Sequence, residues 1–155
     1  MLIRVKLSDI FEGIDMQFDG YSTFLHTKTG TVLSVADDSL RTAEDGEPVD
    51  HLSKWQQEEH ETAIDIIEND EDYVRLPNQY EIHEYEMIED FCFTIQKKET
   101  RERLFKAIKC KGAFRRFKDT IQVLGIEDDW FTYRDDRYKQ IAKEWCQENN
   151  INFIQ

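Results

Sequence analysis

The sequence predicts an α+β fold in which a small N-terminal antiparallel sheet, a hairpin plus one short strand, packs on four to five C-terminal helices. Two observations support this: β-branched and aromatic residues cluster in the first 36 residues, and apolar residues recur at helical spacing in the second half. A chain of 155 residues, 39% of them hydrophobic, suits one domain with a buried core. We expect a single domain over residues 1–155, β-rich over 1–50 and mostly helical over 51–155.

The predicted sheet consists of a hairpin and a third strand. Residues 21–26 and 31–35 are rich in β-branched and aromatic side chains, and Gly30 between them can adopt the positive φ of a tight turn. Residues 73–76 form a further short strand signal, which ends at a proline. Three strands are the minimum for a stable small sheet, so we expect this strand to join the hairpin.

The segments around this sheet predict two helices and a connection. Residues 8–13 predict a short helix that ends at a glycine. Residues 37–50 are polar and contain a glycine and a proline, so we expect an exposed connection. Ser53 and Gln56 have the spacing of a capping box, which begins a helix with Trp55 on its apolar face.

Apolar spacing predicts further helices over residues 81–95, 100–110, 113–124 and about 135–149. The residues between the last two helices are expected to form a loop. The side chains predicted to be mostly buried are Met87, Phe91, Leu104, Phe117, Ile121 and Trp145.

Charge is distributed very unevenly along the chain. The sequence contains 33 acidic and 20 basic residues, a net charge of −13 at pH 7. Residues 97–118, which we call the basic window, nevertheless contain ten Lys and Arg against two acidic residues. The overall acidity argues against general coating of DNA or of anionic membranes, whereas the basic window can create a local positive field.

The C-terminal part of the basic window has the residue types of an anion-binding site. Gly112 permits a close approach of the backbone, and the helix that follows it presents free N–H groups at its start. Arginine forks and lysines around that end suit phosphate. Trp130 and Tyr133, in the expected loop, are candidates for stacking on bases or for a partner contact, with packing between helices as the alternative. The candidate binding residues are therefore Lys111, Gly112, Arg115, Arg116, Lys118, Trp130 and Tyr133.

Several interpretations of these residues remain open. The cations suit RNA or a phosphate ligand, an acidic protein face, or the chain's own acidic residues in 58–72 and 81–90. Phe114 and Phe117, at i, i+3, suit both stacking on bases and core packing, and we expect both in the core.

We expect a non-enzymatic binding or regulatory module that engages RNA or an acidic protein. The alternative is a small nuclease-like enzyme acting on a phosphodiester. In that enzyme His83 or Glu84 serves as the acid–base group, and Arg115 and Arg116 stabilise the transition-state charge.

Other chemistries have little support in the sequence. The four histidines are dispersed and the six glycines are scattered, so no metal and no cofactor is expected. Cys92, Cys110 and Cys146 lie far apart, which is typical of reduced thiols in the cytosol. No apolar run approaches the roughly 20 residues of a membrane span. We therefore expect a cytoplasmic protein without a membrane partner.

A pattern across most of the chain resembles a known family. It consists of Leu76-Pro77, the helix around Met87 and Phe91, Lys-Gly-Ala-Phe-Arg-Arg-Phe-Lys at 111–118, Trp-Phe-x-Tyr at 130–133, and Trp145. This pattern resembles a family of small bacterial proteins catalogued as uncharacterised under a provisional UPF heading. Cys110 stands where the family often has glycine. The resemblance implies no activity, because the family has no accepted function.

Overall fold

The structure is a computed structural model that describes residues 4–155. The chain forms two compact units. The first, which we call the sheet unit, comprises the chain up to Asn78 together with Ile141–Gln155. The second, which we call the helical unit, comprises Gln79–Gln140. Strands and helices together confirm the predicted α+β class, and a single domain over the whole chain stays a prediction.

The strands of the sheet unit confirm the predicted hairpin and its third strand. In chain order they are β1 (Val5–Lys6), β2 (Tyr21–His26), β3 (Val32–Ala36), β4 (Tyr73–Arg75) and β5 (Phe153–Ile154). The antiparallel sheet has the order β3-β2-β4, with Leu25 of the central strand opposite Val32 and Val74. β1 and β5 form a separate parallel pair, in which Val5 lies opposite Phe153.

The first helix, α1 (Leu7–Asp15), begins near its predicted start but does not end at Gly13. The expected stop is wrong because this glycine serves close packing. A Cβ atom at Gly13 would lie 2.7 Å from Cδ2 of Leu76 and 2.9 Å from Cγ1 of Val32. A side chain there would force the Leu76 and Val32 side chains to move, so glycine lets the helix pass the sheet with this packing intact.

The predicted connection over residues 37–50 is wrong for most of its length, since Asp37–Asp45 form helix α2. The two aspartates in its first turn stabilise the helix, because their negative charge lies at the positive end of the helix dipole. The helix ends at Gly46, which has φ of 68°. None of the nine residues is fully buried, and its apolar contact with the core is limited to the partly buried Leu40 and Ala43, so the sequence shows too short an apolar stripe to reveal the helix.

Helix α3 (Lys54–Glu68) begins at the predicted capping residues, where the Ser53 N–H donates to Gln56 Oε1 over 3.0 Å. Its buried face carries His60, Ala63 and Ile66. Trp55, expected on that face, is instead 64% exposed.

The helical unit contains the predicted helices with altered boundaries. They are α4 (Gln79–Ile82), α5 (Glu84–Thr94), α6 (Lys98–Ala107), α7 (Ala113–Leu124) and α8 (Glu127–Glu148), whose residues from Ile141 onward belong to the sheet unit. The predicted helix 81–95 is divided at His83, which has φ of 55°. α8 begins earlier than expected because three acidic residues at 127–129 favour a helix N-terminus, so the expected loop does not exist. Among the described helices, none is both long and apolar enough to cross a membrane.

The core of the helical unit is a cluster of aromatic rings. The centroid of Phe91 lies 6.2 Å from that of Phe117 and 5.4 Å from that of Trp130, and the last two are 5.0 Å apart. All these pairs are edge-to-face, the arrangement that ring quadrupoles prefer. Burial of the whole predicted core set is confirmed for Met87, Phe91, Leu104, Phe117, Ile121 and Trp145.

Two phenylalanines on α7 give a matched test of this packing. Phe117 is 1% exposed and Phe114 is 48% exposed, so only one of the two is in the core. We expect Phe117→Ala to lower the free energy of unfolding by about 3–5 kcal/mol, because it leaves a cavity beside the rings of Phe91 and Trp130. Phe114→Ala is the control and should cost less than about 1.5 kcal/mol. Chemical denaturation measures both, and equal losses would contradict the assignment.

Candidate anion-binding surface

The basic window folds into a helical hairpin, since α6 and α7 pack together and are joined by residues 108–112. We call α6, this turn and α7 the basic hairpin. Two residues of the turn adopt the left-handed conformation, Cys110 with φ of 68° and Gly112 with φ of 78°. They flank Lys111, which is exposed at the chain reversal.

The Arg116 side chain holds this turn closed by hydrogen bonds to backbone carbonyls. Its Nε donates to the carbonyl of Ala107 over 2.8 Å, and its Nη1 donates to the carbonyl of Lys111. Its Nη2 donates to the carbonyls of Lys109 and Cys110. These acceptors include the last carbonyl of α6, that of Ala107, which lies at the negative end of that helix dipole. Arg116, an expected anion ligand, is thus a positioning residue of the turn.

Apart from Lys98, six other cations of the basic hairpin are exposed: Arg103, Lys106, Lys109, Lys111, Arg115 and Lys118. Within residues 4–155, none of them makes an ion pair, and the basic window has only the exposed pair Lys98–Glu102 at 4.0 Å. Pairing of these cations with the acidic residues of 58–72 or 81–90, one of the open interpretations, is therefore not found in the structure.

Charge also differs between the two units. Residues 79–140 contain 13 basic and 13 acidic residues, so the helical unit has no net charge. The rest of the chain contains 7 basic and 20 acidic residues and accounts for the whole net charge of −13. The basic hairpin is thus the positive part of a neutral unit. Its positive field persists because most of its cations have no acidic partner beside them in the described chain.

The start of α7 adds backbone donors to this surface. Its first helical hydrogen bond runs from the Arg116 N–H to the Gly112 carbonyl over 3.0 Å. The N–H groups of Ala113, Phe114 and Arg115 precede that bond and have no acceptor within the helix. Gly112, as the residue before the helix, has no side chain that could cap them. Free donors and the positive end of the helix dipole together favour an anion.

One aromatic ring accompanies the cations at the turn. Phe114 lies edge-to-face against Tyr85, with ring centroids 6.3 Å apart. The Tyr85 hydroxyl donates to the Ile108 carbonyl over 2.8 Å, so α5 braces the turn. Phe114 remains half exposed, whereas Phe117 packs in the core. The expectation that both rings are core residues is therefore wrong for Phe114.

The two aromatic candidates of α8 lie in the core of the helical unit. Trp130 is 3% exposed, between the rings of Phe91 and Phe117. Tyr133 stacks on it, and the Tyr133 hydroxyl accepts a hydrogen bond from Arg137 Nη1 over 2.9 Å. The structure thus assigns Trp130 and Tyr133 to packing and does not join them to the exposed cations.

The acid–base candidates of the alternative interpretation, His83 and Glu84, lie at the start of α5. His83 is exposed at the break between α4 and α5. Glu84 accepts a hydrogen bond from Arg134 Nε over 2.9 Å and forms an ion pair with it. Across the described residues, no hydrogen bond, ion pair or ring contact joins His83 or Glu84 to Arg115 or Arg116.

The cysteines are free thiols, and two of them are buried. Burial raises the pKa of Cys92 and of Cys146 to about 11, so both stay protonated at neutral pH and are poor nucleophiles. Cys110 is exposed on the hairpin turn. In the part of the chain that the structure describes, no three His, Cys, Asp or Glu side chains are grouped as metal ligands.

The chain belongs to the Uncharacterised protein family (UPF0158), whose family model matches residues 2–155. The predicted resemblance is therefore confirmed over nearly the full sequence. Neither a curated protein nor a solved structure is similar enough to match the chain. Family membership brings no activity with it, so a function has to be argued from the geometry of the basic hairpin.

Two adjacent arginines test the assignment of Arg116. We expect Arg116→Ala to lower the free energy of unfolding by about 1–3 kcal/mol, since it removes charged hydrogen bonds to backbone carbonyls. Arg115→Ala removes the same charge from an exposed side chain and should change it by no more than about 0.5 kcal/mol. Thermal and chemical denaturation compare the two variants. Equal stability would show that the Arg116 hydrogen bonds contribute nothing to the fold.

The left-handed conformation of Cys110 gives a second stability prediction. An L-residue is disfavoured there by about 1–2 kcal/mol, and glycine regains part of this after its larger entropy loss on folding. We expect Cys110→Gly to stabilise the protein by up to about 1 kcal/mol. Cys110→Val should destabilise it, because a β-branched side chain is least tolerated at positive φ. Cys110→Ala removes the thiol and keeps the Cβ atom, so a gain in that control would contradict the backbone explanation.

Proposed function

We propose that this protein is a non-enzymatic binding module that engages RNA through the basic hairpin. The observation that supports this most is the group of exposed cations on α6, the turn and α7, of which only Lys98 makes an ion pair within the described chain although acidic residues outnumber basic ones. A phosphate backbone supplies repeated negative charges to such a group. The free thiols suit a module of the cytoplasm.

The arrangement on α7 favours RNA over an acidic protein face. Arg115 and Lys118 are three residues apart and Phe114 and Lys118 are four apart, so the three side chains occupy neighbouring positions on one side of the helix. A half-exposed ring beside cations suits single-stranded RNA, whose bases stack on aromatics while its phosphates contact Lys and Arg. An acidic protein would use the same cations but would have no need of the ring.

The turn adds a site for one phosphate. Lys111 stands at the chain reversal, next to the free N–H groups at the start of α7. A phosphate at that point would meet a lysine, an arginine and backbone donors together, a combination that oriented amides in tight turns provide. Arg116 supports this site by holding the turn and is not a ligand in the proposal.

The alternative, a phosphodiester-acting enzyme, has less support. It requires His83 or Glu84 to act on a bond held by Arg115 and Arg116, and Glu84 is instead paired with Arg134. A binding module requires only charge and shape, which the basic hairpin supplies.

Fluorescence anisotropy with a mixed-sequence single-stranded RNA tests the proposal. We expect binding that weakens with salt, with a log–log slope of about −0.7 for each phosphate contacted. The triple variant Lys111→Ala, Arg115→Ala, Lys118→Ala should weaken binding at least about tenfold and flatten this slope. Phe114→Ala should weaken it without changing the slope, since a base stack involves no counterion.

A charge-matched control removes three cations of the sheet unit, Lys6, Lys54 and Lys143, each to Ala. It makes the same change in net charge as the triple variant of the basic hairpin. Equal losses in both would show that only net charge matters and would contradict a site on the basic hairpin. Absence of RNA binding at low salt, with binding to acidic proteins retained, would replace RNA by a protein partner. RNA cleavage that disappears in His83→Ala would favour the enzyme.

A further inference from the structure

The sheet unit contains a pocket that the proposed function does not use. It has a volume of about 270 Å³ and lies where the start of β2, the end of β3, helix α2 and helix α3 meet. The residues that define its chemistry are Tyr21, Asp38, Trp55, Glu59 and His60. All of them belong to the sheet unit, so the pocket is complete within one compact part of the chain.

His60 is the first indication of a ligand. Its side chain lines the pocket, is only 8% exposed, and lies on the buried face of α3. Its Nδ1 atom is buried and finds no hydrogen-bond partner among the residues described. Folded proteins pair nearly all buried polar atoms, because an unpaired one loses its hydration without compensation. A ligand N–H group in the pocket would give Nδ1 the missing partner.

Exposed aromatic rings are the second indication. Trp55 is 64% exposed although it lies in the first turn of α3, and Tyr21 is 45% exposed at the start of β2. Both line the same pocket. The face of tryptophan is the strongest aromatic partner for a cation, and tyrosine is the next choice in aromatic cages.

The charged groups of the pocket have one sign. Asp38 and Glu59 are acidic, and no Lys or Arg is among the lining residues described. Oε1 of Glu59 accepts the Ala36 N–H over 2.8 Å, which holds this carboxylate at the end of β3. Oδ1 of Asp38 accepts a hydrogen bond from the Arg41 guanidinium over 2.8 Å in an exposed ion pair on α2, so Asp38 is already compensated and Glu59 supplies the main negative charge of the pocket.

We propose that this pocket binds an organic cation with a guanidinium or alkylammonium head. The head lies against the Trp55 ring, near the two carboxylates, and donates an N–H to His60 Nδ1. The volume is below the usual range for drug-sized ligands, which is about 300–1,000 Å³, and suits one such head with a short alkyl chain. The net charge of −13 on the sheet unit attracts cations to it.

Titration calorimetry with n-butylguanidinium tests the charge requirement, with n-butylurea as the neutral isostere. We expect the cation to bind with a Kd of about 1 mM or lower and the urea to bind at least about fivefold more weakly. Equal affinity for both would overturn the proposal. So would the absence of any binding of the cation up to about 10 mM, beyond the affinity of even a weak specific contact.

Variants then test the residues. Trp55→Ala changes an exposed side chain, so the protein should fold and should bind the cation at least about fivefold more weakly. Tyr80→Ala, at an even more exposed ring of the helical unit, is the control and should bind as the wild type does. Unchanged binding in Trp55→Ala, or an equal loss in Tyr80→Ala, would overturn the assignment.

His60→Phe separates binding from folding. It keeps an aromatic ring in place and removes the unpaired nitrogen, so the melting temperature should not fall while cation binding is lost. Unchanged binding would remove His60 from the proposal.

Comparing n-butylguanidinium with the peptide Gly-Arg-Gly identifies the kind of molecule that carries the cationic head. Tighter binding of the peptide indicates a partner's arginine, and tighter binding of the small molecule indicates a free amine or guanidine.

Discussion

The guanidinium of Arg116 holds the chain reversal on which the candidate surface depends. The end of α6, the turn and the start of α7 leave carbonyl oxygens without helical partners, and this one side chain donates to four of them. With those acceptors satisfied, the turn can keep two left-handed residues and leave Lys111 and Arg115 at the surface. One arginine thus stabilises the geometry, and its neighbours remain available to a partner.

The distribution of charge along the chain explains why these cations have few acidic partners. In most acidic proteins, exposed cations are compensated by nearby carboxylates, at a contribution to stability of only about 0–1 kcal/mol per pair. In the helical unit, acids and bases are equal in number, yet the ion pairs that involve α8 use Arg134 and Arg137, and within residues 4–155 only Lys98 among the cations of the basic hairpin has an acidic partner. The acidic excess lies in the sheet unit, which has its own pocket of electron-rich groups. The two units therefore differ in charge: the basic hairpin is locally positive and the sheet unit is negative.

The sequence predicted the elements that carry apolar periodicity and missed those that do not. The hairpin, α7 and the buried Phe117 were predicted correctly, because strand alternation and helical spacing both follow from burial. Helix α2 has no buried residue, so its sequence resembles a loop. The roles of Arg116 and His60 depend on contacts across turns and between elements. Composition alone did not distinguish Arg116 from Arg115, since an arginine that binds carbonyls and one that faces solvent look alike in a sequence.

The pairing of β1 with β5 has a consequence for the order in which the protein folds during synthesis. Val5 and Phe153 lie opposite each other, so the sheet unit is assembled from two stretches separated by the whole of Gln79–Gln140. Residues 79–140 leave the ribosome as one continuous stretch, and their helix pairs make mostly local contacts, which form quickly. The three strands β2, β3 and β4 emerge before residue 79, but the β1–β5 pair must wait for β5, because a polypeptide synthesised at about 5–20 residues per second cannot close a pair before both partners have emerged. The helical unit is thus able to fold on a nascent chain whose sheet unit is still unfinished.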